Sequence, residues 1–307
     1  MIIRTITGDI SPESLGATNY HEHAFQISPL LKGDELNDLA KSTAEFKRLK
    51  ESGFDAYVDA TPIGLGRNLN SIMKLQAQTG LNVVHTTGVH RSAHYESGAE
   101  ITSKSAAELA TIFHDEITLG MSDESGARTE IKAGLIKFGI DNEKISDFES
   151  RALEAAASVS NDLGVGVMVH IESGTYAHEV LDRLEKLGCP PSRVALAHMD
   201  RKPDAKLHVE IASRGSYLGH DGAGRTKYFP DETLVELFNA VVAAGYSSQI
   251  LLGADVARAS RYIEYGGGPG LEYLGKTFIP QLISATSEKI VKQVLTTNPQ
   301  RWLAFTP

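Results

Sequence analysis

Four histidines in this sequence have the type and spacing of metal ligands. His21 and His23 stand one residue apart at the end of an apolar segment, and His170 and His198 each end a later one. Side chains alternate along an extended chain, so His21 and His23 point to the same side. Imidazole nitrogens are common ligands of divalent metals. The pattern predicts a metal site, whereas any one of these histidines taken alone is more often an ordinary hydrogen-bonded residue.

A lysine and an aspartate extend this set. Lys137 lies between Ile136 and Phe138 in an apolar segment, and Asp255 ends another. A lysine on a buried strand must pair with an acid or lose its charge, so a structural ion pair and a Schiff-base lysine of the aldolase type are two hypotheses. A neutral amine can also add carbon dioxide and become a carbamate, whose oxygens can bridge two cations. The neighbouring ligand candidates favour the carbamate.

Eight short apolar runs would position these side chains. The runs cover 15–23, 55–60, 81–88, 133–138, 165–170, 193–198, 216–221 and 249–255. Most precede a segment whose apolar residues recur three and four positions apart and which ends in Gly or Ser, as amphipathic helices do. Nearly continuous apolar runs are typical of strands that are buried in a parallel sheet.

This alternation predicts the α/β class, specifically a (β/α)8 TIM barrel that forms a single domain over residues 1–307. An open doubly wound sheet is the alternative, but no GxGxxG turn follows the first strand candidate. In a TIM barrel the active site lies at the carboxyl ends of the strands. The four histidines, Lys137 and Asp255 all fall at those ends.

Composition excludes several classes of protein. The chain has 307 residues, a formal net charge of −9 and 41% hydrophobic residues, which is typical of a globular protein and unlike a nucleic-acid-binding one. No apolar run approaches the roughly 18 residues of a membrane span, and residues 1–10 do not resemble a signal peptide. The single cysteine, Cys189, cannot form an internal disulfide. We therefore expect a cytoplasmic protein that binds neither nucleic acid nor membrane.

Seven segments spread over nearly the whole chain surround the ligand candidates or follow them. They are NYHEHAF, GLIKFG, VMVHIESG, VALAHMDRKPD, LLGADVARASRY, GGGPG and NPQRWL. Together with the ligand candidates, these segments resemble the phosphotriesterase family of the amidohydrolase superfamily. The resemblance implies a centre of two divalent metal ions, with Zn²⁺ as the first choice and Mn²⁺, Co²⁺ or Fe²⁺ as alternatives. It also implies a homodimer.

The same resemblance implies roles for individual residues. The more buried metal would be held by His21, His23 and Asp255, and the more exposed one by His170 and His198. Lys137, carbamylated to N6-carboxylysine, and a hydroxide would bridge the two ions. Asp255 would either accept the proton of the attacking hydroxide or act as a ligand alone.

The family divides by substrate into enzymes for organophosphate triesters, N-acyl homoserine lactones and lactones of phosphorylated sugars. Four cations follow the last two strand candidates, namely Arg225, Lys227, Arg258 and Arg261. Loops at these places hold phosphate in many TIM barrels, and a guanidinium matches phosphate oxygens, although each cation could equally be an ordinary solvated one. Tyr95 resembles the lactonase tyrosine of the family, which contacts the substrate carbonyl, and its alternative role is packing on the barrel rim.

We therefore predict a metal-dependent hydrolase in which a metal-activated hydroxide attacks a small-molecule lactone or related ester, with a phosphorylated sugar lactone preferred. Lys137 and Asp255 are the predicted catalytic residues. The alternatives are an organophosphate triesterase, an N-acyl homoserine lactonase, a Schiff-base aldolase that uses Lys137, and a non-catalytic metal-binding barrel.

Overall fold

The eight apolar runs form eight parallel strands that follow a short antiparallel hairpin of β1 (Ile3–Thr5) and β2 (Gly8–Ile10). The structure is a computed structural model that describes residues 1–141 and 143–307. The barrel strands are β3 (Thr18–Glu22), β4 (Ala56–Asp59), β5 (Asn82–Gly88), β6 (Leu135–Ile140), β7 (Val167–Ile171), β8 (Val194–Ala197), β9 (Tyr217–His220) and β10 (Ile250–Leu252). Consecutive strands are hydrogen-bonded neighbours from β3 to β10. The backbone N–H of Asp255 donates to the carbonyl of His21 (3.0 Å), which brings the last strand back to the first. The predicted TIM barrel is confirmed.

Helices connect the strands and cover the outside of the sheet. They are α1 (Leu39–Glu51), α2 (Leu69–Thr79), α3 (Glu100–Ser103), α4 (Ala106–Thr118), α5 (Asp147–Leu163), α6 (Ala177–Lys186), α7 (Ala205–Ser213), α8 (Asp231–Ala243), α9 (Ile279–Ala285), α10 (Glu288–Leu295) and α11 (Thr297–Leu303). Ser105 and Glu108 form a capping box at the start of α4, and Gly80 ends α2 in the left-handed conformation. Within residues 1–141 and 143–307, no helix is both long enough and apolar enough to cross a membrane.

Side chains alternate in direction along each strand, and this alternation places the polar residues at the mouth of the barrel. Leu135 and Met168 belong to a buried cluster, closed by Trp302, to which all the barrel strands contribute. Side chains two residues apart on a strand share a face, so Lys137 and His170 point inward like Leu135 and Met168 but lie nearer the carboxyl end. The apolar interior thus supports the polar side chains from below.

The first barrel strand is irregular where it carries a ligand candidate. Its register against β4 shifts between Asn19 and Glu22, and His21 lies within the shifted segment. Bulges of this kind re-aim side chains next to active sites. The local sequence pattern alone does not reveal this shift.

Candidate metal centre

All six predicted metal ligands converge at the carboxyl-terminal mouth of the barrel. His21 lies in β3 and His23 directly after it, Lys137 lies in β6, His170 lies in β7, His198 follows β8, and Asp255 follows β10. Each is buried, with at most 6% of its surface exposed. Residues that are far apart in the chain therefore meet in one small volume.

The potential ligand atoms form two adjoining groups. The Nε2 atoms of His21 and His23 lie 3.5 and 3.4 Å from Oδ1 of Asp255, close enough for the three side chains to hold one ion. In the second group, Nε2 of His198 lies 2.8 Å from Nδ1 of His170. The geometry thus separates the same two sets of residues that the family resemblance implies.

The second nitrogen of each histidine is held by another polar group. These contacts are His21 Nδ1 to Asp221 Oδ2 (3.1 Å), His198 Nδ1 to Asp221 Oδ1 (2.6 Å), His170 Nε2 to Glu172 Oε1 (3.0 Å) and His23 Nδ1 to Thr61 Oγ1 (2.8 Å). An ionised carboxylate only accepts hydrogen bonds, so the nitrogen that faces it must carry the hydrogen. In a neutral ring the other nitrogen then keeps its lone pair, which is how metal-ligating histidines are oriented.

Burial keeps these rings neutral. It lowers the pKa of His23 and of His198 to about 4, and it lowers the pKa of His170 well below its ordinary value. With their hydrogens directed to Asp221 and Glu172, His198 and His170 turn two lone pairs toward each other across 2.8 Å. Such an arrangement is repulsive without a cation beside both nitrogens. These residues therefore fit a divalent metal centre.

Lys137 is fully buried beside this centre, and its Nζ lies 3.3 Å from Nε2 of His21. Burial lowers its pKa to about 8, although Asp255 and Asp221 raise it in part. Within the part of the chain that the structure describes, no ion pair includes Lys137, so the structure does not form the ion pair that was one hypothesis. An amine with this pKa is partly neutral near pH 7 and can react with carbon dioxide.

Asp255 combines an ionised carboxylate with an unusual backbone. Burial alone would raise its pKa, but Arg225 and His21 lower that pKa well below its ordinary value. Arg225 and Arg201 donate to Oδ2 at 2.7 and 3.1 Å, which leaves Oδ1 toward the histidines. Its φ is +44° and that of His198 is +63°, a left-handed conformation that costs energy outside glycine and clusters at functional sites.

Asp221 is a functional residue that the sequence-based prediction missed. It follows β9, is fully buried, and accepts hydrogen bonds from His21, His198 and the hydroxyl of Tyr20. It could also join the two histidines in holding an ion. However, it contacts their Nδ1 atoms and leaves both Nε2 atoms toward the centre, which favours an orienting role. An acid at the end of the seventh apolar run was the available signal.

A cavity of about 200 Å³ opens beside the ligands. Three of the predicted substrate-binding residues line it, namely Arg225, Lys227 and Arg258. Arg91, Glu172 and Arg201 line it as well, and the sequence-based prediction had not included them. Glu172 joins the two arginines, because Arg91 Nη2 and Arg201 Nη1 lie 3.2 and 3.1 Å from its carboxylate.

Two predicted substrate-binding residues do not line this cavity. The hydroxyl of Tyr95 accepts a hydrogen bond from the backbone N–H of His90 (2.9 Å) and donates one to the carbonyl of Ile63 (3.0 Å). Arg261 donates to the carbonyl of Asp255 (3.1 Å) and so braces the loop after β10. Backbone groups therefore contact the Tyr95 hydroxyl and Nη1 of Arg261.

Comparison with known proteins agrees with this geometry. The model of the phosphotriesterase family matches residues 1–303. The chain belongs to the phosphotriesterase family. Members are metal-dependent hydrolases, and this protein is a hydrolase of the amidohydrolase type with candidate metal-binding histidine and aspartate residues. The predicted family and enzyme class are confirmed.

Individual relatives are similar over nearly the whole chain. A phospho-furanose lactonase of Mycoplasmopsis synoviae is 30% identical, with 98% of this chain and 91% of that protein covered. The crystal structure of a lactonase from Listeria monocytogenes superposes with a TM-score of 0.93 and 29% identity, covering 100% of both chains. The phosphotriesterase homology protein of Escherichia coli, whose crystal structure has phosphate in the active site, has a TM-score of 0.87 and 30% identity, covering 95% of this chain and 99% of that one.

Proposed function

We propose that this protein is a lactonase with a binuclear divalent metal centre, and that it opens lactones of phosphorylated sugars. The observation that carries the substrate class is the excess of cationic side chains around the cavity. The lone pairs of His170 and His198 that face each other and the buried lysine amine support the metal centre.

The ligand groups divide between two ions. His21, His23 and Asp255 would hold one ion, His170 and His198 the other, and carbamylated Lys137 would offer an oxygen to each. When bound, two divalent ions, Zn²⁺ in the first place, lower the pKa of a water molecule and polarise the ester carbonyl. The carbamate forms when the Nζ lone pair of Lys137 adds to carbon dioxide and one proton leaves the nitrogen, which requires the neutral amine that burial favours.

Asp255 is positioned to take a proton. Arg201 and Arg225 hold its Oδ2 and keep the carboxylate ionised, while Oδ1 faces His21 and His23. In this proposal the carboxylate accepts the proton that water loses as its oxygen bonds to the lactone carbonyl carbon. The ring carbon–oxygen bond then breaks, and the leaving oxygen takes that proton from Asp255, which gives a hydroxy acid and restores the carboxylate.

The cavity wall is cationic although the whole chain carries a net charge of −9. Its charged residues other than Lys137 are Arg91, Arg201, Arg225, Lys227 and Arg258 against Glu172 and Asp255. The two acids are already joined to Arg91, Arg201 and Arg225, so no carboxylate of the cavity wall pairs with Lys227 or Arg258. The nearest carboxylate to Arg258 is Asp34, which lies 3.7 Å away and is not part of the cavity wall. A phosphate group complements these two cations. The phospho-furanose lactonase and the phosphate-containing E. coli structure among the relatives support this assignment.

The test compares each of several sugar lactones with its 5-phosphate ester. We expect Arg258→Ala to lower kcat/KM for the phosphorylated lactones by about tenfold or more, with little change for the unphosphorylated ones, because one charge-assisted contact is lost. Arg128→Ala is the matched control, since both arginine side chains are 46% exposed and each lies near one aspartate. Equal activity of the wild type toward both sets would contradict the phosphate assignment and leave the metal chemistry in place.

Each of the other predicted functions would give a distinct experimental outcome. An N-acyl homoserine lactonase or an organophosphate triesterase would prefer acyl lactones or triesters to phosphorylated lactones. A Schiff-base aldolase would form an adduct at Lys137 that borohydride traps in the presence of substrate. A non-catalytic barrel would bind metal and hydrolyse none of these compounds.

A further inference from the structure

Two histidines outside the ligand groups, His90 and His94, also line the cavity. They follow β5, are 5% and 6% exposed, and stack with their ring centroids 3.7 Å apart. The ring of His90 lies 4.5 Å from that of His170. Among the described residues, neither belongs to a group that could hold a metal ion. Their hydrogen bonds determine what each ring offers to the cavity.

His90 offers a hydrogen-bond donor. The backbone N–H of Arg91 donates to its Nδ1 (2.9 Å), so Nδ1 carries a lone pair and the ring hydrogen is on Nε2. The backbone N–H of His90 itself is held by the hydroxyl of Tyr95 (2.9 Å). The position and the tautomer of His90 are therefore both fixed by its neighbours.

His94 offers an acceptor. The hydroxyl of Ser28 has one hydrogen, and it donates that hydrogen to the carbonyl oxygen of His94 (3.1 Å). Both contacts of this hydroxyl are hydrogen bonds only if Nδ1 of His94 donates to it (3.1 Å). The lone pair of His94 is consequently on Nε2. In the described part of the chain, neither Nε2 atom has another hydrogen-bond partner.

We propose that His90 and His94 recognise a hydroxyl group on the ring of the lactone, His90 as donor and His94 as acceptor. A hydroxyl both accepts and donates, so it satisfies the two Nε2 atoms together. A phosphate oxygen at pH 7 would face the lone pair of His94, which directs the phosphate to Lys227 and Arg258 instead. An alkyl group would leave both nitrogens unpaired, and sites built to bind a hydroxyl reject such analogues strongly. The inference rests on the proposed function, since it takes the ligand to be a hydroxylated lactone.

The experiment measures a preference ratio for ligands that differ by one hydroxyl. Ribose 5-phosphate is compared with its 2-deoxy and 3-deoxy analogues by calorimetry, and the corresponding lactones are compared by kcat/KM. We expect the wild type to favour the full sugar over at least one analogue by about tenfold or more. His90→Leu and His94→Leu reduce this ratio to near one, whereas His90→Gln and His94→Gln, which keep a polar atom near the Nε2 position, restore part of it.

Controls separate this inference from simpler explanations. Metal content and thermal unfolding show whether each variant is folded and loaded, and Arg258→Ala weakens binding of every phosphorylated ligand while the hydroxyl ratio stays unchanged. A wild type without a hydroxyl preference, or leucine variants that keep it, overturns the inference. Because the binding arm needs no turnover, a failure to hydrolyse lactones counts against the proposed function, and the ratio still decides the role of the two histidines.

Discussion

The inner and outer parts of the cavity are built in opposite ways. At the inner end the ligand histidines are buried, and one carboxylate, that of Asp221, holds both His21 and His198 through their second nitrogens. At the outer end the side chain of Arg258 is 46% exposed, and its nearest carboxylate, on Asp34, is 3.7 Å away. Buried, doubly held side chains keep one geometry, whereas exposed ones adapt to a ligand. In the proposed function, bond cleavage and substrate choice therefore depend on different residues.

Lys137→Ala should have the largest effect of these variants, because it removes a residue from the inner end of the cavity. We expect the purified protein to lose its divalent metal and hydrolysis to fall to the level of the metal-free enzyme, because the proposed carbamate disappears. Elemental analysis measures the metal content, and lactone assays measure hydrolysis. Short carboxylic acids that replace the carbamate oxygens should restore part of the metal content and part of the activity. Lys227→Ala, at the outer end, should keep its metal, and a Lys137→Ala protein with full metal and activity would exclude the carbamate.

Asp221→Asn should lower the metal affinity of the inner end without removing a metal ligand. The amide has one acceptor oxygen in place of the two that hold His21 and His198, so we expect metal affinity to fall about 10–100-fold. Competition with a chelator measures the affinity. Asp182→Asn is the control, because this aspartate is exposed and pairs with Arg214. Unchanged affinity in Asp221→Asn would mean that the carboxylate does not orient the ligands.

The pH dependence of carbamate formation should test the chemistry proposed for the inner end of the cavity. Only the neutral amine of Lys137 adds carbon dioxide, and its pKa is lowered to about 8, so the neutral fraction grows as pH rises toward that value. At constant dissolved carbon dioxide, the initial rate of carbamate formation in metal-depleted protein should rise about tenfold per pH unit below pH ~8 and level off above it. A 13C-labelled carbonyl signal reports the product, and Lys137→Ala should give none. A rate that does not change over this range argues against a titrating amine.

Tyr95→Phe should have the smallest effect, on stability. The hydroxyl bonds two backbone groups, so we expect the free energy of unfolding to fall by about 1–2 kcal/mol. Chemical denaturation measures the change. A tyrosine that contacted the substrate carbonyl would give the reverse pattern, with unchanged stability and a large loss of kcat.

Residues on the strands or directly at their carboxyl ends could be predicted from the sequence, whereas two of the predicted loop residues have other contacts. Lys137 and His170 follow inward-facing apolar residues at a spacing of two, so their direction follows from the strand itself. Tyr95 was assigned to the substrate from the family resemblance, and Arg261 from its place after the last strand candidate. Both lie in loops, where the nearest backbone carbonyl or N–H decides what a polar side chain contacts, and no periodicity reports that neighbour.

The sequence by itself determined the barrel, its eight strands and the six residues that meet at its mouth, because hydrophobic periodicity and ligand chemistry are local properties. The tertiary structure alone decided which groups hold those residues. Asp221 is 200 residues from His21 and 23 from His198 along the chain, yet it holds both rings. The tautomers of His90 and His94 likewise depend on Arg91 and Ser28. Hydrogen-bond direction is a property of contacts, and contacts between distant residues exist only once the chain has folded.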